Sequence, residues 1–219
     1  NKKYTPLHLF ADVMLLTVFD PWKSQLCTCP RKLTFNPYTG CDHECLYCYA
    51  SSYIPRFHEC RPKKNLISRL KQESAKLNGE LVSMSNSSDP YPRLERKTGL
   101  TRKCLEILAK RHCKLQIVTK SDLVIRDIDI LQTVPCVVSI TVLTADDELS
   151  RKLEPGSPVS SKQLKTINIL AKAGIPTTAR IDPIIPFLND DLGVIMKSVA
   201  ELGVLHVTCS TYKVKPDNW

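Results

Sequence analysis

The sequence predicts an α/β fold, a partial (β/α)6 barrel of parallel strands with outer helices and a short N-terminal extension. From about residue 31 onward, short β-branched runs alternate with longer helix-like stretches, giving six strands in all. That alternation implies parallel strands joined by crossover helices. The chain has 219 residues, 42% hydrophobic and 24% charged, which suits one domain with a sizeable core. A complete eight-fold barrel typically needs about 250 residues, so a six-stranded partial barrel fits the length better. The alternation alone leaves a complete barrel and an open doubly wound sheet as alternatives.

Residues 1–30 read as a mixed extension outside the repeat, and 31–219 as the barrel domain. The apolar stretch at 13–19 contains Thr17 and is far too short to cross a bilayer. It has no small-residue cleavage site, so no signal peptide is expected. The first strand falls at 32–35, and Asn36-Pro37-Tyr38-Thr39-Gly40 turns into a cysteine cluster. A helix over 63–77 ends at Asn78-Gly79. A strand at 81–85 runs into the polar loop 86–92. Residues 101–111 form a helix with Cys104, Leu105 and Leu108 on one face. A strand at 115–119, a short helix at 127–132 and a strand at 136–143 follow. Next comes an amphipathic helix at 160–173 stopped by Gly174, then a strand at 177–181. A helix at 190–202 stopped by Gly203 leads to the last strand, 204–208. No helix follows before Trp219, so the native protein is expected to continue. In such folds chemistry gathers at the carboxyl ends of the strands, here the loops 40–49, 86–91, 120–122, 143–147, 182–191 and 210–215.

Composition shows no sign of disorder, collagen-like repeat or coiled coil. The formal charge of +9 and pI near 9.1 favour anionic partners, nucleic acid above all. Against this, Lys and Arg are scattered over 56–69, 93–114 and 162–172 without a dense run. Of ten cysteines, three lie within eight residues, and Cys104, Cys113, Cys136 and Cys209 sit in apolar segments. Free buried cysteine behaves as a small hydrophobe, so a reducing cytoplasm is expected rather than a secreted disulfide scaffold.

The segment Cys41-Asp42-His43-Glu44-Cys45-Leu46-Tyr47-Cys48-Tyr49 has C-x3-C-x2-C spacing. Three thiolates so close in sequence converge on one soft metal or cluster. Iron–sulfur clusters are commonly held by four cysteines, and three would leave one iron open to an external ligand. Structural zinc is the rival, with Cys60, His43 or His58 as fourth ligand, but there is no second C-x-x-C knuckle.

With an aromatic before its last cysteine and a β/α repeat behind it, this motif resembles the radical S-adenosylmethionine (SAM) superfamily. The string from Asn36 to Ala50 is similar to the spore photoproduct lyase-like branch, also described as DNA-repair-photolyase-like. Ser87-Ser88-Asp89-Pro90-Tyr91, Val118-Thr119-Lys120-Ser121-Asp122 and the run from Arg180 to Pro186 resemble it too, so the likeness covers roughly 31–216. It implies a 4Fe–4S cluster on Cys41, Cys45 and Cys48. The open iron would hold the SAM amine and carboxylate, and one electron would break the S–C5′ bond to give methionine and a 5′-deoxyadenosyl radical. An electron donor of flavodoxin or ferredoxin type is implied, for an enzyme of lyase or transferase type.

By the same resemblance Tyr47 packs near the adenine and Tyr49 lies just outside the ligands. Ser87, Ser88 and Asp89 accept from the methionyl ammonium, although an Asx-type turn before Pro90 would use the same residues. Lys120 and Arg180 bind the methionyl carboxylate and Thr141 reaches the ribose. Arg180 ends an apolar strand, where a charge needs a partner. One departure matters. Spore photoproduct lyase is similar in placing a hydrogen-donating cysteine two residues before the Ser-Asp pair, where this chain has Asn86. An amide cannot replace a thiol in that role; Cys136 or Cys209 could approach from other strands, although packed core cysteine is the commoner reading of both. Cys27, Cys29 and Cys60 suggest a weak auxiliary site, and Trp22 and Tyr53 could stack on bases. The expectation is hydrogen abstraction from nucleic acid, in lesion repair or base modification. The alternatives are a peptide or small-metabolite substrate, or a non-enzymatic iron–sulfur or zinc protein.

Overall fold

Six parallel strands succeed one another across one sheet in the order in which the chain makes them. In this computed structural model, residues 14–18, 30–84 and 87–215 are described. The strands of the main sheet are β1 (Thr17–Val18), β2 (Leu33–Phe35), β5 (Asn78–Met84), β6 (His112–Thr119), β7 (Cys136–Thr141), β8 (Thr177–Ile184) and β9 (Val207–Thr211), adjacent in that order. Every pairing from β2 to β9 is parallel, and β1 adds an antiparallel edge to β2. A doubly wound sheet would reverse its strand order at a switch point. This unbroken succession is that of a partial barrel, as the sequence predicts. The extension reaches into it, with Leu15 and Leu16 buried and both backbone N–H groups donating to Glu73 Oε2 (2.7 and 2.9 Å).

The crossovers are α1 (Leu66–Ser74), α2 (Glu95–Thr98), α3 (Leu100–Leu108), α4 (Ile128–Leu131), α5 (Asp147–Leu153), α6 (Ser160–Lys172) and α7 (Leu192–Glu201). A small hairpin, β3 (Tyr38–Thr39) with β4 (Arg61–Pro62), brackets the cysteine loop. The pleat sorts side chains sharply. Leu115, Ile117, Val138, Ile140, Ala179 and Ile181 face the helices and are buried with Leu105, Leu108, Leu131, Ile167, Leu170 and Val199. Each large side chain buried this way is worth about 1.5–3 kcal/mol. The alternate positions, Gln116 and Val118 on β6, Thr178, Arg180 and Asp182 on β8, Thr208 and Ser210 on β9, are only half-buried and mostly polar. They line the face away from the helices, and Ser83 on β5 donates to Gln116 across it (3.1 Å).

Several boundaries differ from the sequence-based expectation. Strand β5 takes in Asn78-Gly79, the predicted helix stop, and β6 starts at His112, so the pair is longer than its apolar segments. The last strand begins at Val207 rather than 204. Gly203 is left-handed (φ 80°) and Val204 folds back into the core, its N–H bonded to Val199 O (3.2 Å). Helices α2 and α5, which the apolar pattern did not mark, are short and carry mainly polar residues.

Candidate active site

The cysteine loop is held from two sides before any ligand binds. Gly40 makes the sharp entry (φ 77°), and a Cβ there would lie 2.8 Å from Glu59 O and closer still to Phe57 O. Cys41 N–H donates to that Phe57 carbonyl (2.8 Å). On the other side, the connection after α5 lies against the loop through Leu46 N–H to Leu153 O (2.9 Å) and Gly156 N–H to His43 O (2.9 Å). A Cβ on Gly156 would stand 2.7 Å from His43 O and overlap Asp42 O, so glycine permits this approach. The loop thus lies at the carboxyl ends of the strands, where the fold gathers chemistry.

Cys41 and Cys45 are buried and Cys48 is half-buried. Burial pushes the Cys41 thiol up to about 12, helped by the Asp89 charge, and raises Cys45 and Cys48 as well. Each of the three feels the charge of at least one other, or shares with it a charged neighbour, Lys120. Backbone N–H groups of Asp89 and His43 point at Cys41, and those of Ala50 and Ser51 at Cys48, favouring thiolate there. Three buried soft thiol donors, with backbone N–H partners at Cys41 and Cys48 and a Lys120 cation that Glu154 already pairs, fit a cationic iron–sulfur centre. Among the described residues, no group of three His, Cys, Asp or Glu could hold a metal ion as it stands. Of the fourth ligands a zinc site would need, His43 and His58 are engaged elsewhere and Cys60 is a free thiol. His43 Nδ1 lies 3.6 Å from Asp89 Oδ2, Cys60 borders a cavity of about 280 Å3 with Asp42 and Arg93, and the His58 ring packs on Phe57 (5.6 Å). Cys27, Cys29, Trp22 and Asn86 lie outside the described residues.

The predicted cofactor residues are gathered at this end, though several are already partnered. Asp89 accepts at Oδ1 from Tyr91 N–H (2.8 Å) and the Thr119 hydroxyl (2.7 Å), and at Oδ2 from Lys120 N–H (2.8 Å). The Asx turn is therefore present, and Asp89 also ties the loop after β5 to the end of β6. Ser88 Oγ donates to Tyr38 O (3.0 Å), while Ser87 is half-buried. Lys120 is not open to solvent, since its ammonium lies 2.8 Å from Glu154 Oε1, with side chains 14% and 0% exposed. The Tyr47 hydroxyl donates to the same oxygen, and Lys120 Nζ sits 5.5 Å from the Tyr47 ring centre.

Thr141 is buried at the end of β7, in register with Arg180 on β8. Arg180 donates to Asp182 Oδ2 (2.8 Å), and Asp182 also accepts from Ser210 Oγ on β9. Lys213 Nζ donates to Ser210 Oγ (3.1 Å) and lies 5.8 Å from the Tyr49 ring centre, which is 6.1 Å from that of Tyr53. Tyr49 and Tyr53 are exposed and half-ring this cationic edge.

Two cysteines do not reach the site. Cys136 opens β7 at the opposite end of the sheet, its thiol bonded to Leu131 O (3.3 Å). Cys209 lies on the exposed side of β9, facing away from Ser210 and Asp182. Cys104 and Cys113 are buried in the core as expected. Sequence reasoning missed Glu154, Gly156 and the Asp182–Ser210–Lys213 chain. The rule that pointed to Arg180, that a charge ending an apolar strand needs a partner, applies equally to Lys120 and demands a carboxylate. It could not say which of 22 acidic residues supplies it.

A family profile described as the Radical SAM superfamily matches residues 35–211. The chain belongs to that superfamily, and the family implies a 4Fe–4S cluster and SAM. An uncharacterized protein of Methanocaldococcus jannaschii is 35% identical over 166 residues, covering 73% of this chain and 62% of that protein. One of Mycobacterium tuberculosis is 29% identical over 198 residues, covering 82% and 58%. This chain therefore spans about three fifths of the length of these relatives. Among solved structures, spore photoproduct lyase with bound AdoMet and dinucleoside spore photoproduct superposes with TM-score 0.67 at 17% identity, covering 84% of this chain and 58% of that one. Native anSMEcpe with bound AdoMet and Cp18Cys peptide gives TM-score 0.59 at 13% identity, covering 82% and 50%. Both share the partial-barrel fold. Among the described residues, no helix is long and apolar enough to cross a membrane.

Proposed function

We propose that this chain cleaves SAM reductively and directs the resulting radical at a nucleic-acid substrate, in repair or modification of a base. The observation that carries the proposal is the cysteine loop: three thiols at the strand ends, two of them with backbone N–H donors, beside a polar, half-open inner face. Cys41, Cys45 and Cys48 would hold a 4Fe–4S cluster, which when bound would supply the electron that splits SAM. The residues around it bind and shield. Arg180, fixed by Asp182, offers a cation toward a carboxylate, and Thr141 beside it offers a hydroxyl. Tyr47 and Glu154 close the wall behind Cys45.

The nucleic-acid reading rests on the net charge of +9 and on the exposed Tyr49, which has Lys213 over its ring and Tyr53 as its ring neighbour. Spore photoproduct lyase, which shares the fold, has been solved with a dinucleoside photoproduct. With Asn86 where spore photoproduct lyase itself carries a thiol, a hydrogen return through this position is excluded from the proposal. A flavodoxin or ferredoxin is the electron donor, and the described cysteines, all free, suit a reducing cytoplasm.

The test is anaerobic reconstitution with iron and sulfide, followed by dithionite and SAM. Release of 5′-deoxyadenosine by the wild type and not by Cys45→Ala supports the radical step, and a well-formed cluster that releases none overturns it. Binding to single- and double-stranded oligonucleotides that weakens steeply with salt supports the substrate class. No binding at low salt moves the substrate to a peptide or small metabolite.

A further inference from the structure

Beside the cysteine loop lies a charged pair that the fold does not need in order to close. The connection after α5 is already fastened to the loop by two backbone hydrogen bonds, Leu46 to Leu153 and Gly156 to His43. Within it, Glu154 is 1% exposed and carries more partners than any cap or turn requires. Its Oε1 receives the Lys120 ammonium at 2.8 Å and the Tyr47 hydroxyl, and its Oε2 receives Ser157 Oγ at 3.0 Å and Gln163 Nε2 at 3.5 Å. Burying such a pair is often no better for stability than an apolar pair of the same volume. Position offers a use for it. Tyr47 stands between Cys45 and Cys48 in the chain, and both Glu154 and Lys120 act electrostatically on Cys45.

We propose that Glu154 is a positioning residue that orders Tyr47 and Lys120 behind Cys45 and, by balancing the Lys120 charge, keeps the reduction potential of the cluster low. The inference rests on the cluster assigned above to Cys41, Cys45 and Cys48. A positive charge near a cluster favours its reduced, more negative form, and an adjacent carboxylate cancels that effect. Glu154→Gln keeps the shape and three of the contacts but leaves Lys120 unbalanced. Lys120→Met combined with Glu154→Gln removes both charges together.

The measurement is the midpoint potential of the reconstituted, SAM-free protein, followed by electron paramagnetic resonance during reductive titration, with iron content determined in parallel. Glu154→Gln is expected to raise the potential by at least a tenfold change in the one-electron equilibrium, about 59 mV. The double variant is expected to return close to the wild type. An unchanged potential in a fully loaded Glu154→Gln protein overturns the proposal, as does an equal shift in both variants. If Glu154→Gln fails to load iron while the double variant loads it, charge balance is supported. If neither loads, Glu154 serves only to hold the loop and the proposal falls. A wild-type protein that assembles no cluster defeats the radical reading itself, a separate result.

Discussion

Replacing Gly156 by alanine should unseat the cysteine loop without touching a cysteine. Gly156 does not occupy the left-handed region that only glycine tolerates well, so its backbone accepts alanine and the effect comes from contact alone. The new Cβ would lie 2.7 Å from His43 O and overlap Asp42 O, and both neighbours are backbone that cannot swing aside. Overpacking of this kind costs about 1–3 kcal/mol, and losing the Gly156–His43 hydrogen bond adds about 1 kcal/mol. A sum of roughly 2–4 kcal/mol corresponds to a fall of roughly 4–16 °C in Tm for a domain of this size. Thermal unfolding of the cluster-free protein measures the loss, and the rate at which a chelator strips iron from the reconstituted protein reports the loop itself. Gly193→Ala is the control. Gly193 lies in α7, and its Cβ would meet only Asp191 Oδ1 at 3.4 Å, so alanine should stabilise there by up to about 1 kcal/mol. If Gly156→Ala matches the wild type in both Tm and iron retention, the two segments are not packed as described.

Three further outcomes follow from the same geometry. Cys45→Ala should abolish the brown iron–sulfur absorbance on reconstitution while leaving the far-ultraviolet circular dichroism of the cluster-free protein intact. Asp89→Asn puts an NH2 where one of three donors now finds an oxygen, and should cost about 1.5–3 kcal/mol in urea unfolding. Burial pushes the Cys104 thiol up to about 12 from the usual 9.0. Its folded pKa is raised, so its contribution to stability is complete below about pH 9 and is lost as pH climbs toward 12. Stability of the cluster-free protein should therefore fall through that window, and Cys104→Ala should lessen the slope by about 1.4 kcal/mol per pH unit.

Much of this protein is local and therefore legible in the chain. Alternation of β-branched and helical stretches yields the parallel order of strands, because each crossover must return to the same edge direction. The spacing of Cys41, Cys45 and Cys48 announces soft-ligand chemistry, because thiolates so near in sequence converge on one group. Residues 160–173 were readable as a helix because their apolar face repeats at helical period and Gly174 ends it; the structure has Ser160–Lys172.

What the chain alone could not disclose depends on contacts across large separations. Asp89 reads as a turn residue or a ligand, and only the neighbouring strand end, 30 residues on, shows it holding Thr119 and Lys120. Lys120 reads as an open cation until Glu154 arrives beside it from the far side of β7. Gly156 looks like an ordinary turn glycine, yet it faces backbone more than 100 residues away in sequence, at Asp42 and His43. Cys136 and Cys209 are alike in composition of surroundings, but strand direction puts one at the wrong end of the sheet and pleat puts the other on the wrong face. The three cysteines are thus declared by the sequence, whereas their N–H donors, their buried neighbours and the charge pair behind them exist only once the sheet brings distant loops to one edge.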